Sequence, residues 1–138
     1  MTIHGFTLPT LLESHLKTGG YKLSESEMLR LKALLTGIGS PQPRLWGYDQ
    51  IVSQHKLWNS DAATWYLGTE STEYSPGRID PKRMLIIGEA DQHDSPLALD
   101  YRTDDPRVVY LGDAGRYGVW IELASSYEGL LKKLAGAS

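Results

Sequence analysis

Residues 84–101 read Met84-Leu-Ile-Ile-Gly-Glu-Ala-Asp-Gln-His-Asp-Ser-Pro-Leu-Ala-Leu-Asp-Tyr101. An apolar run from Met84 to Ile87 ends at Gly88, and an acid-rich stretch follows with Glu89, Asp91, His93 and Asp94. A second apolar run, Pro96 to Leu99, ends in Asp100-Tyr101. Two short apolar runs joined by a polar loop predict a β-hairpin. In this reading Gly88 lets the backbone turn, and the acids of the loop point into water.

The pattern continues downstream. Strands are predicted at 84–88, 96–101, 107–111 and 118–122, with turns at Asp104-Asp105-Pro106 and Gly112-Asp113-Ala114-Gly115. Such short spacing makes an antiparallel meander. A helix is predicted over 125–135, started by a Ser125/Glu128 capping box, with Tyr127, Leu130, Leu131 and Leu134 on its apolar face.

Upstream, residues 8–18 predict a helix with Pro9 at its first position and Leu8, Leu11, Leu12 and Leu16 in one stripe. Gly19-Gly20 stops it. His15 beside the stripe reads as a partly exposed structural histidine. A second helix is predicted over 24–36, where Ser24 and Glu27 form a capping box and Leu23 and Met28 a hydrophobic staple. Arg44-Leu-Trp46 suits a short strand, and Asp49 a cap for a helix carrying Ile51, Val52, Leu57 and Trp58. Asn59-Ser60-Asp61 suggests a break before a further piece with Trp65 and Tyr66. Residues 68–82 form a long polar loop, with Tyr74 and Arg78 as its contact residues. Helices, then a meander, then a helix give an α+β fold: a mostly antiparallel sheet with N-terminal helices and a C-terminal helix packed around it. No repeat or linker divides the chain, so 1–138 is read as one domain.

Composition narrows the function classes. The 138 residues are 41% hydrophobic and 22% charged, ordinary for a globular domain. The absence of cysteine excludes disulfides, thiolate metal sites and a cysteine nucleophile. A net charge of −3 without a basic run argues against nucleic acid as partner. No run approaches the roughly 20 apolar residues of a membrane span. Met1-Thr-Ile-His-Gly-Phe lacks the basic and apolar regions of a signal peptide. The expected location is cytoplasmic.

The acids of residues 89–94 include hard-cation ligands, but their spacing matches no EF-hand and no His-Glu-x-x-His motif. No metal site is assigned. A glycosidase-type carboxylate pair needs a cleft and opposed acids, which one loop does not supply. The chain lacks a Gly-x-Ser-x-Gly elbow and both glycine-rich phosphate-binding motifs. No catalytic residue and no cofactor are assigned. Asp100 differs from the loop acids: at a strand end, a carboxylate losing water needs backbone N–H or arginine donors, and Arg102 and Arg107 are near in sequence. Gly88 and Asp100 are therefore read as structural anchors of the sheet end. Large aromatics are buried on average, so core packing is the first expectation for Trp46, Trp58 and Trp65. A partner-binding patch is the alternative.

Several of these stretches resemble the SUKH superfamily, which includes bacterial immunity proteins and a fungal cell-wall regulator. Arg44-Leu-Trp-Gly-Tyr-Asp-Gln-Ile51 is similar to its arginine, leucine and aromatic segment leading into a short acidic helix. Leu85-Ile-Ile-Gly88 resembles its strand ending in Ile-Gly, and Asp94-Ser-Pro-Leu-Ala-Leu-Asp100 the strand that follows. Val108-Val-Tyr110, Trp120 and Leu123-Ala-Ser-Ser-Tyr-Glu-Gly-Leu-Leu-Lys-Lys-Leu134 are similar to its closing strands and helix, and Leu8-Pro9 to the start of its N-terminal helix. The resemblance spans residues 44–135. It departs at Glu89-Ala-Asp-Gln-His-Asp94, where a glycine-rich turn ending in Gly-Asp is frequent.

The resemblance implies an α+β fold and a binding activity without catalysis. It implies a protein partner, such as a nuclease or deaminase toxin encoded nearby that an immunity protein occludes. Scaffold or regulatory work in the same superfamily is the alternative, and a small-ligand protein or enzyme with a cleft of Trp and carboxylates is the third. Candidate partner contacts are Glu89, Asp91, Asp94, Tyr74, Arg78 and Trp65.

Overall fold

The computed structural model describes residues 1–58, 66–91, 95–112 and 118–136. Its centre is the predicted meander: β5 (Met84–Glu89), β6 (Pro96–Asp100), β7 (Arg107–Gly112) and β8 (Val119–Ala124), each antiparallel to the next. Two-residue strands close the edges, β3 (Arg44–Leu45) beside β5 and β4 (Pro76–Gly77) beside β8. The order across the sheet is β3-β5-β6-β7-β8-β4. The protein is α+β. Met84 through Ile87 and Val108 through Leu111 are buried without alternation. Continuous burial along a strand means that both faces of the sheet are covered.

Four helices supply the cover among the described residues: α1 (Thr10–Lys17), α2 (Glu25–Leu34), α3 (Tyr48–Trp58) and α4 (Tyr127–Leu134). α3 packs on β5. α4 packs on β7 and β8 and carries α1 and α2 on its outer side. Leu12 and Leu16 of α1, Leu31 of α2 and Tyr127, Leu130 and Leu134 of α4 meet in that layer. At about 25 cal/mol per Å² of apolar surface, such burial is what holds helices of eight to eleven residues, too short to persist alone.

Local chemistry accounts for the helix ends, with corrections. Ser24 and Glu27 form the complete capping box at α2. At α1, Pro9 is the N-cap and not the first helical residue, and Leu11 is exposed while Leu8, Leu12 and Leu16 are buried. Asp49 lies inside the first turn of α3, which starts one residue earlier at Tyr48. α4 is capped by Ser126, whose side chain accepts the Gly129 N–H at 2.9 Å, and not by Ser125. The 68–82 segment is no free loop: Gly68 bridges Arg78, β4 joins the sheet, and a 3-10 turn, Pro81–Arg83, leads into β5. Its Ile79 is buried.

A second small sheet precedes α1. β1 (Thr2–Ile3) and β2 (Phe6–Thr7) form a hairpin whose central residues, His4 and Gly5, have φ of 50° and 86°. Positive φ at both turn residues matches the right-handed twist of the flanking strands. The proposed Asn59-Ser60-Asp61 break and Trp65, like Asp94, lie outside the described residues.

Candidate functional site

Gly88 shapes the site. It does not turn the chain but lies within β5, opposite Leu45 on one side and Leu97 on the other. A Cβ here would collide with the Arg44 carbonyl oxygen, so only glycine lets β3 come this close. A bulge just before it leaves Ile87 unpaired with β6, and the Ile87 carbonyl accepts the Trp46 N–H at 2.9 Å. Bulges re-aim chains next to sites. Here the result is that Trp46 follows β3 directly onto the flank of α3.

A cleft of about 270 Å³ opens between α3 and the β5–β6 end of the sheet. Trp46, Trp58 and Tyr66 supply its aromatic surface, and Gln54, Leu57 and Glu89 its rim. Trp46 and Trp58 are buried, whereas Leu57 is 59% exposed. Trp58 is held by its indole N–H on the Pro81 carbonyl at 3.0 Å and by ring contacts with Tyr66 and Trp120, centroids 6.0 and 6.5 Å away. Trp120 in turn donates to the Tyr66 carbonyl at 2.7 Å. The Trp46 indole N–H is buried with no hydrogen-bond partner among the described residues. A buried donor left unpaired is uncommon in folded proteins. On the sheet side the Ala90 N–H reaches the Ser95 carbonyl at 2.7 Å, and the Ser95 hydroxyl donates to the Leu111 carbonyl.

Glu89 ends β5 and faces this cleft from the sheet; it does not sit outward in a loop. Its carboxylate lies 3.2 Å from the Arg44 guanidinium. Asp91, just past the strand, is half-buried. Tyr74 and Arg78 flank β4, at the opposite edge of the sheet from β3. The described candidate contacts therefore do not form one surface: Glu89 lines the cleft, Asp91 follows it past the end of β5, and Tyr74 and Arg78 lie at the far edge.

Asp100, fully buried, is the second ionic centre. Arg102 grips it through Nε at 3.0 Å and Nη2 at 3.0 Å and adds its backbone N–H at 3.1 Å, while Arg107 Nε donates at 2.9 Å. Burial alone raises its pKa, but the hydrogen bonds from Arg102 and Arg107 outweigh that and hold the carboxyl below its ordinary value. Arg102 also donates to the Arg78 carbonyl at 3.0 Å, and Arg107 to the Ser75 hydroxyl at 3.3 Å, which ties the β4 segment to the meander. A carboxylate so occupied has no proton to give and little basicity to offer. Asp100 is not part of the cleft.

A third polar cluster lies under α1. His15 Nδ1 is 2.9 Å from the Tyr127 hydroxyl and its ring stacks on Tyr21 at 4.5 Å. The Tyr21 hydroxyl donates to Glu27, which pushes its own pKa up to about 12. These groups are consumed by one another.

Gln54, Leu57, Tyr66 and Pro96 join the cleft; the sequence reading placed Leu57, Tyr66 and Pro96 in structural elements and gave none of the four a site role. An apolar residue near the end of an amphipathic helix carries no mark of being exposed, so Leu57 had no readable signal. Among the described residues no group of three or more His, Cys, Asp or Glu is placed to hold a metal ion. No helix among them is long and apolar enough to cross a membrane. No family model matches the chain, and neither a curated protein nor a solved structure matches it.

Proposed function

We propose that the chain is a non-catalytic protein-binding module acting in the cytoplasm, and that it is an immunity protein that occludes a bacterial toxin such as a nuclease or deaminase. The observation that carries the binding reading is the cleft beside α3, with a buried tryptophan floor, an apolar Leu57 left in water and a carboxylate at the rim. Buried aromatics inside a polar rim are the composition of protein-contact hot spots. Its volume of about 270 Å³ has room for one large side chain of a partner.

The toxin rests on the resemblance to the SUKH superfamily, with which an antiparallel sheet covered by helices agrees. A net charge of −3 complements a basic protein partner and not nucleic acid or an anionic membrane.

The test is capture of the products of neighbouring genes on the purified chain, with co-expression to measure protection from toxicity. Protection is expected from the native chain. Leu57→Asp should abolish it with the melting temperature unchanged, since the side chain is already solvated. Capture without protection would move the reading to the regulatory branch. Neither capture nor protection would overturn it.

A further inference from the structure

We propose that the cleft takes one arginine side chain of the partner, with its guanidinium on the Glu89 carboxylate and its plane along the aromatic wall. This rests on the protein-binding reading and names the chemistry of the residue that enters.

Three observations carry it. The first is spare acceptor capacity. Arg44 approaches one Glu89 oxygen, Oε1, at 3.2 Å, which leaves Oε2 without an ion-pair partner among the described residues. An ionised carboxylate has about four acceptor positions, so one arginine need not fill them. The Arg44 side chain is 65% exposed, and such an ion pair is readily shared or displaced. The second is the wall. Trp46, Trp58 and Tyr66 are brought together beside that carboxylate. A cation against aromatic faces gains most where water is excluded. The third is Gln54, half-buried on α3 and lining the same cleft, whose side-chain oxygen is a further acceptor.

The choice of arginine over lysine follows from shape. Two acceptors set apart on one rim, a carboxylate and an amide oxygen, suit a planar fork of five donors, and flat walls suit a flat, weakly hydrated cation. An ammonium group is compact, more strongly hydrated and reaches one acceptor cluster at a time. The volume of about 270 Å³ has room for one such side chain.

The test is titration of the 15N-labelled chain with N-acetyl-arginine-N-methylamide, following the indole N–H signals of Trp46 and Trp58. A saturable shift of both is expected, with the citrulline analogue, equal in shape but uncharged, at least about tenfold weaker. Glu89→Gln should weaken arginine binding by about tenfold. Arg44→Gln removes the competing cation and should tighten it. The last variant decides the matter should Glu89→Gln fail to fold. No saturable shift, equal binding of citrulline, or weaker binding by Arg44→Gln would each overturn the proposal. If it falls while Leu57→Asp still abolishes toxin protection, the protein-binding reading survives. If arginine binds but no partner is captured, it is that reading which fails.

Discussion

Arg107 faces Asp100 directly across the β6–β7 pair, and its Nε lies 2.9 Å from Asp100 Oδ2. Together with Arg102 it makes a buried carboxylate tolerable at the end of the sheet. Asp100→Asn leaves two guanidinium groups without their counter-charge. It should lower the unfolding free energy at pH 7 by about 3 kcal/mol, measured by denaturant titration. The folded-state pKa of Asp100 is depressed, so its contribution is fully present above the unfolded value of about 4 and is lost as pH falls through the lower folded value. The native chain should therefore lose stability steeply below about pH 4, and Asp100→Asn should flatten that limb. An equally steep acid limb in the variant would count against this role.

His55 on α3 predicts a different pH dependence. It is 2% exposed, its Nδ1 has no partner among the described residues, and the His4 ring stacks on it at 4.5 Å. Burial first, and then the neighbouring His4, lowers its pKa. A histidine kept neutral in the fold costs nothing above its unfolded value of about 6.5, where both states are neutral. As pH falls below that value the unfolded state takes up a proton that the folded state refuses, and stability declines until the folded pKa is passed. Thermal melts at pH 7 and pH 5 should show this decline, and His55→Phe should reduce it.

Gly88 and Arg44 predict a steric effect. Gly88→Ala pushes a methyl group into the Arg44 carbonyl and should cost about 1–3 kcal/mol. It should also shift the Trp46 indole signal by displacing β3, and weaken partner binding beyond what stability loss explains. A fully folded variant with an unmoved Trp46 signal would show that β3 does not depend on glycine.

The two serines ahead of α4 separate two ways of starting a helix. Ser126→Ala removes the bond to the Gly129 N–H and should cost about 1 kcal/mol. Ser125→Ala, at an exposed position, should stay within about 0.5 kcal/mol of the native chain. Chemical denaturation of the pair distinguishes them.

The serine pair also shows why some of the fold was legible and some was not. Ser125 and Ser126 both precede an amphipathic run, and choosing between them needs the backbone of β8, which fixes where the chain leaves the sheet. At Ser24 the capping box with Glu27 and the adjacent Leu23 and Met28 point to the same start, and the prediction agrees with the structure. The N-terminal hairpin was missed because two-residue strands carry no periodicity, and only His4-Gly5 hinted at a turn. The loop at 68–82 looked unpaired because β4 is equally short, and its partner β8 lies more than forty residues away.

What the sequence determined by itself is the meander from 84 to 124, because dense apolar runs between turn residues can satisfy their backbone hydrogen bonds only by pairing with neighbours. It also placed Asp100 near Arg102 and Arg107, since all three lie within eight residues. Only the tertiary structure decided that Gly88 is a point of close approach and not a turn, that Glu89 faces a cleft, and that Trp46 and Trp58 meet there with Tyr66. Those relations join residues from β3, α3 and β5. Their closeness comes from packing two layers against each other, which no local pattern encodes.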